Sequence, residues 1–322
     1  MHASARLHLG FLDPDATLGR RFGSLGLALR DIVTTVRVER ADALHVAGTQ
    51  VDRAAEIIHR LADHFEQEST LAVTLERTIP PHAGLGSGTQ LALALGHALA
   101  RYWRVEVDTR EIARLLGRGR RSGIGLAVFD KGGLVVDGGH GSATTVPPLL
   151  SHHDMPEKWR AILVFDRNCE GISGEVEKEA FGQLPPFTHN QAAELCHQTL
   201  MRVLPAVAEG DFELFCAGLG TIQALIGDHF SAVQDGCFTS TAVGRVIDYC
   251  QQALGYRGAG QSSWGPTGFV FVPDEKTALD LLTTLQRRFA SESGLEIVAI
   301  SPNNEPAQIV VQAAAERVAL KS

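Results

Sequence analysis

The chain has 322 residues, 44% of them hydrophobic, and a net charge of −8. It is long enough to bury a sizeable core and more comfortable as two domains than as one. No run approaches the roughly 18 apolar residues of a membrane span, the opening "MHASARLHLG" lacks a secretory pattern, and the acidic balance argues against nucleic acid or a membrane surface as partner, so a cytoplasmic protein is expected.

Residues 24–29 and 32–38 form two apolar, β-branched runs that predict strands. In "DRAAEIIHRLADHFEQ", Ala54, Ile57, Ile58, Leu61 and Phe65 recur on one helical face. Leu71, Val73, Leu75 and Ile79 then alternate as in a half-buried strand, which Pro80-Pro81 ends. The stretch "PPHAGLGSGTQ" leads directly into an apolar helix beginning near Thr89. Asp108, with Glu111 three residues on, starts another helix. "GGLVVDGGHGSATTV" reads as strand and turn, and the polar stretch "SHHDMPEKW" as a loop between domains 1–155 and 156–322. In that loop, His152-His153-Asp154 superficially suggests a metal site, but a proline-flanked polar loop explains it more simply. The second half begins with the strand "AILVFD", continues through helices over 190–210, 211–227 and 240–254, and closes with a β-α-β unit made of "GFVFV", "EKTALDLLTTLQRRF" and "LEIVAIS". Both halves are therefore α+β. The five cysteines are widely spaced and lack a CxxC pair, which fits reduced thiols.

The glycine loop raises the question of what approaches its backbone. Gly84, Gly86 and Gly88 permit close approach, Ser87 and Thr89 offer hydroxyls, and the following helix directs its unpaired amides at the same place, so a phosphate is expected there. A helix cap with no ligand is the plainer alternative. Arg118, Arg120 and Arg121 offer guanidinium forks for a diphosphate, or else form a solvated basic cluster at a helix C-terminus.

Across nearly its whole length the chain resembles the GHMP kinase superfamily. The opening "ARLHLGFLD" sits where that superfamily has its N-terminal strand and turn. "PPHAGLGSGTQ" is similar to its Pro-x-x-x-Gly-Leu-x-Ser-Ser-Ala loop, and "GAGQSSWGPTGFVF" to its C-terminal glycine motif. The resemblance implies two domains, an N-terminal ribosomal S5 domain 2-like half and a C-terminal ferredoxin-like half. It breaks at Ser122-Gly123-Ile124-Gly125, where the kinases typically read Ser-Gly-x-Asp. Glycine cannot accept a proton from a substrate hydroxyl, and arginines stand about where those kinases bind magnesium through a glutamate.

Together "RLHLGFLD", "GRGRRSGIG" and "GGLVVDGG" are more similar to a divergent branch, the β-ribofuranosylaminobenzene 5'-phosphate synthases. That likeness implies condensation of phosphoribosyl pyrophosphate with 4-aminobenzoate or 4-hydroxybenzoate, release of carbon dioxide and pyrophosphate, and a place in tetrahydromethanopterin biosynthesis. Arg6 and His8 are similar to positions in the family's opening motif, although a lone histidine on a strand is usually just hydrogen-bonded in place; Trp264, inside the C-terminal glycine motif, either faces the benzoate ring or belongs to the core, with Gln261, Ser262 and Ser263 as donors to a carboxylate or phosphate. Asp13 is the expected ligand of a donor-bound magnesium ion, and a homodimer is expected by analogy. An ATP-dependent kinase of the same fold and a non-catalytic metabolite-binding regulator are the alternatives.

Overall fold

The computed structural model describes residues 1–171, 174–234, 236–263 and 265–311. Its first sheet holds β1 (His2–Asp13), β2 (Phe22–Arg40), β3 (His45–Gly48), β4 (Leu71–Arg77), β5 (Leu134–Asp137) and β6 (Leu149–His153). The order is β3-β4-β2-β5-β6, with β1 also paired to β2, and β3–β4 is the parallel pair. The second sheet holds β7 (Arg160–Asp166), β8 (Ala259–Gln261), β9 (Gly268–Val272) and β10 (Leu295–Ile300), in the antiparallel order β10-β7-β9-β8. This is the ferredoxin-like arrangement, and β9 and β10 flank β7 as a split β-α-β unit around α10 (Glu275–Arg288).

Side-chain alternation explains the layering. On β7, Ala161 and Leu163 face an inner core while Ile162 and Val164 face an outer one, and on β9 Phe269 and Phe271 divide from Val270 and Val272 in the same way. The inner core joins the two sheets through α6 (His189–Gln198), α7 (Leu204–Glu209) and α8 (Phe212–Phe230), against Leu7, Leu25, Leu27 and Leu134 of the first sheet. Helix α9 (Thr241–Asp248) and α10 cover the outer face of the second sheet. On the first sheet's other face lie α2 (Ser87–Trp103) and α4 (Ile124–Lys131), with α1 (Val51–Phe65) and α3 (Thr109–Leu115) packed on α2; α5 (Gly174–Gln183) follows β7.

Several expectations change. The two runs at 24–29 and 32–38 are one 19-residue strand, β2, interrupted where Asp31 adopts φ +70°. Helix α6 passes through a π turn, Thr199–Val203, directly into α7, and α9 continues through another at Tyr249–Ala253. His152 and His153 lie on β6 rather than in a loop, because backbone pairing with Val135 and Leu134 organises them whatever their polarity. The segment Ile124–Lys131 is a helix that its short apolar run did not announce. None of the helices described is long and apolar enough to cross a membrane.

Candidate active site

Between β4 and α2 the chain turns through three left-handed positions, His82 (φ +56°), Gly84 (+75°) and Gly86 (+78°). This curl sets the first turn of α2 against β1, with no side chain capping its N-terminus. Helices α3, α6, α8, α9 and α10 are capped by Asp108, Thr188, Asp211, Ser240 and Asp274, whereas α1 and α4, like α2, start without a side-chain cap. An uncapped helix start presents amide donors and the positive end of its dipole to whatever occupies the space before it.

The glycines have separate reasons. A Cβ on Gly84 would collide with the Ser262 carbonyl oxygen and Gly265, so this glycine lets the loop dock on the C-terminal glycine motif. At Gly86 a Cβ would meet the Arg6 side chain at 3.2 Å, and at Gly88 the guanidinium of Arg53. The docking is stitched by hydrogen bonds. The Ser262 hydroxyl accepts from the His8 amide (2.9 Å) and donates to the Gly84 carbonyl (2.8 Å), and the Thr267 hydroxyl donates to the Ala83 carbonyl (2.6 Å). Ser262 and Thr267 are fully buried, so Ser262 joins two motifs where the sequence reading made it a ligand donor. Gln261 accepts from the Thr239 amide (2.6 Å) and donates to the Ser263 carbonyl (2.9 Å). Gln261 and Ser263 also line a cavity of about 210 Å³ shared with Gln223, Asp228, Asp248 and Gln251. Trp264 lies outside the described residues.

Strand β1 supplies the next wall. Arg6 donates to the Gly84 carbonyl, and its amide donates to the Leu85 carbonyl (3.1 Å). His8 is 3% exposed and packs edge-on against Phe11 at 4.5 Å. Burial holds its pKa well below the ordinary imidazole value, and the charges of Arg6 and Arg121 push the same way, so His8 is neutral. Its Nε2 is buried without a hydrogen-bond partner among the described residues. Arg121 lies over the Phe181 ring at 5.4 Å, beside the cluster of Phe11, Phe22, Phe181 and Phe230.

Arg118 and Arg120 leave the end of α3 on another course. Arg118 is desolvated, which lowers its pKa; the charge of Arg53 adds to this, Glu56 opposes it, and Arg120 and Arg60 contribute further. The three arginines thus face different neighbours: Arg118 feels the charges of Arg53, Arg120 and Arg60, whereas Arg121 lies over Phe181 and its charge, with that of Arg6, acts on His8. Arg53 escaped the sequence reading because an arginine on an amphipathic helix looks like any solvated charge. His140 was missed too; its ring nitrogens lie 3.2 Å from the carbonyl oxygens of Gly119 and Thr144, tying the arginine loop to the turn after β5.

Position 125 faces the loop, since a Cβ there would lie 3.0 Å from Cγ2 of Thr89. Asp130 does not substitute for a carboxylate at this point, because it sits a helix length away and accepts from the Thr109 hydroxyl (2.5 Å), which is itself 2.9 Å from Nε2 of His97. Asp137 accepts from the Gly123 and Gly139 amides (both 2.8 Å) and the Ser122 hydroxyl (3.2 Å), and so fixes the start of α4. Burial raises its pKa despite these donors. Asp13 accepts from the Leu18 amide (2.6 Å), the Thr17 hydroxyl (3.2 Å) and the Asp15 amide (3.3 Å) in a closed turn and is 3% exposed. That engagement fits a metal ligand poorly, and the described residues include no group of three or more His, Cys, Asp or Glu side chains able to hold a metal.

Residues 51–133, from α1 to the end of α4, match the N-terminal domain of the GHMP kinases. The chain is 32% identical to a β-ribofuranosylphenol 5'-phosphate synthase of Methanothermobacter thermautotrophicus, over 86% of this chain and 89% of that protein. The chain belongs to this synthase family. A second such synthase, from Archaeoglobus fulgidus, is 32% identical over 92% of this chain and 94% of its own length. Phosphomevalonate kinase of Streptococcus pneumoniae shares the fold, with a TM-score of 0.69 over 94% of this chain and 98% of that one, at 14% identity. Within the synthase family, then, the chain has the kinases' fold while position 125 is glycine.

Proposed function

We propose that this synthase-family chain joins C1 of the ribose in phosphoribosyl pyrophosphate to the carboxylate-bearing ring carbon of 4-hydroxybenzoate or 4-aminobenzoate. The C1–diphosphate bond breaks, the carbon–carbon bond forms, and the ring–carboxylate bond breaks to release carbon dioxide. The observation that carries this is the likeness to β-ribofuranosylphenol 5'-phosphate synthases over most of the chain. The product in their name is what decarboxylative ribosylation of the hydroxy acid yields, which favours 4-hydroxybenzoate as acceptor. The step belongs, in this proposal, to tetrahydromethanopterin biosynthesis, and the enzyme works as a cytoplasmic homodimer.

The chemistry suits the residues. Departure of diphosphate leaves an oxocarbenium-like ribose, and the electron pair that restores aromaticity comes from the breaking ring–carboxylate bond. No base is needed at the ring carbon, so glycine at position 125 removes nothing the reaction requires, whereas a kinase of this fold loses its carboxylate there. What the protein has to supply is stabilisation of the departing anion, orientation of a flat ring and exclusion of water. The uncapped start of α2, with Gly84, Gly86, Ser87, Gly88 and Thr89 around it, serves the phosphates. Arg6 and Arg121 beside a neutral His8 and an aromatic cluster suit an aromatic carboxylate. Magnesium, in this scheme, arrives on the donor's diphosphate, and no step is assigned to a protein-held ion.

Carboxyl-labelled 4-hydroxybenzoate and 4-aminobenzoate, each incubated with phosphoribosyl pyrophosphate, magnesium and the protein, test the proposal. Labelled carbon dioxide stoichiometric with diphosphate is the expected result. Diphosphate release with the carboxylate retained would mean N- or O-ribosylation, and release of neither would remove the synthase assignment.

A further inference from the structure

We infer that Arg53 of α1 completes, with Arg118 and Arg120, the subsite that holds a diphosphate, and that Arg121 belongs to a separate subsite for an aromatic carboxylate. The inference deepens the proposed function and, in assigning the diphosphate to the ribosyl donor, rests on it.

Three features converge. The Arg53 guanidinium occupies the space that a side chain on Gly88 would need, so it lies against the first turn of α2. Arg118 arrives from the loop after α3 half-buried, and its Nε is enclosed without a hydrogen-bond acceptor among the described residues. Arg120 comes from the same loop and acts on Arg118 electrostatically, as Arg53 does. Among the described residues, no carboxylate reaches ion-pairing distance of Arg53, Arg118 or Arg120; Glu56 influences Arg118 only from farther away. Arg53 and Arg118, like charges that are both partly desolvated, oppose folding unless a counter-charge joins them, while Arg120 stands exposed at the edge of the pair. The neighbouring helix start, with no side-chain cap, presents the same sign of charge. A ligand with several negative oxygens on adjacent phosphorus atoms satisfies all four donors at once, because guanidinium forks match pairs of phosphate oxygens.

The surroundings of Arg121 select another ligand. Its guanidinium stacks over Phe181, Arg6 is hydrogen-bonded to the loop carbonyl of Gly84, and both flank the buried His8. A flat ring bearing one carboxylate fits that aromatic wall, and a compact polyanion does not.

The test is calorimetric titration of the full-length protein with inorganic diphosphate, phosphoribosyl pyrophosphate and ADP in separate arms. Arg53→Ala should weaken diphosphate and phosphoribosyl pyrophosphate by about tenfold or more, as expected when a hydrogen bond to a charged group is lost. Arg121→Ala should leave inorganic diphosphate affinity within about twofold while raising the KM for the aromatic acid. Gly88→Ala displaces the Arg53 guanidinium from the other side and should reproduce the Arg53→Ala loss, which keeps the test decisive if Arg53→Ala folds poorly. Wild-type diphosphate affinity in folded Arg53→Ala or Gly88→Ala would overturn the inference. If diphosphate binding depends on Arg53 but ADP shares it, phosphoribosyl pyrophosphate does not, and the wild type releases no carbon dioxide, the subsite stands and the synthase assignment falls. If the wild type releases carbon dioxide with Arg53→Ala binding diphosphate normally, the reverse holds.

Discussion

At His8, whose Nε2 has no hydrogen-bond partner among the described residues, burial and the Arg6 and Arg121 charges act together to set a pH dependence. Its folded pKa lies below the unfolded value, so as pH falls below about 6.5 the unfolded chain takes up a proton that the folded chain refuses. Stability is therefore full above that pH and declines below it, by at most about 1.4 kcal/mol per pH unit for this one proton. His2, His97 and His229 are shifted in the same direction, while Asp137, raised by burial, acts in the opposite sense. Urea unfolding at pH 7.5, 6 and 5 should show the decline, and His8→Gln should flatten it; an equal slope in both proteins would show that His8 titrates normally. Ser262 gives a second residue-scale prediction. Ser262→Ala removes the acceptor of the buried His8 amide and the donor to Gly84, so a loss of about 1–3 kcal/mol is expected from the same unfolding measurement. Gly125→Asp should not create a kinase, because the added side chain enters beside Thr89 without supplying the rest of a metal site. A coupled ADP assay with mevalonate or homoserine should stay at background, and robust substrate-dependent ADP formation would refute this.

At the scale of elements, the interlock of the two glycine motifs separates Gly84 from Gly88. Gly84→Val meets backbone atoms at Ser262 and Gly265 in a left-handed conformation, so it should cost about 3 kcal/mol or more. Gly88→Ala meets only the end of the Arg53 side chain, and its stability should stay within about 1 kcal/mol of wild type. Equal melting temperatures for Gly84→Val and wild type would dissolve the interlock. The motifs themselves were visible in the sequence, as were α2, α3 with its Asp108 cap, α8, α10 and the alternating strands, because period and capping are local properties. What was hidden depended on partners. Strands β3 and β8, of four and three residues, exist through the strands beside them, and α4 has too short an apolar run for its period to register. In the site, the loop glycines and β1 were legible as motifs. The contact between Arg53 and Gly88 was not, since it joins residues 35 positions apart through the packing of α1 on α2.

In the whole molecule, the two sheets are tied together twice. The inner core packs Leu25 and Leu134 of the first half with Leu163 and Phe269 of the second. The chain also returns after β10 to the first sheet, where Asn303 donates to the Ala28 carbonyl (3.0 Å) and accepts from the Gly133 amide (2.7 Å). Ala307 donates to the Phe129 carbonyl (2.8 Å), His2 and Gln308 exchange bonds of 2.7 and 2.9 Å, and the Asn304 side chain brackets Met155 through its amide and carbonyl. This segment thus holds β1, the end of α4 and the start of the second half to one another, and with them the wall that carries Arg6 and His8. Ending the chain after Ser301 removes these bonds. At a net of about 0.5–1.5 kcal/mol each, they amount to a large part of the roughly 5–15 kcal/mol that stabilises a typical domain. The truncated protein should therefore melt far below the full chain by circular dichroism, or fail to fold, and any folded fraction should lose affinity for the aromatic acid before it loses affinity for diphosphate, because β1 and not α1 is released. Full-length stability in the truncated chain would show that the return segment only decorates the first sheet. Retained stability with equal loss of both ligands would instead mean that the two subsites are not mechanically separate.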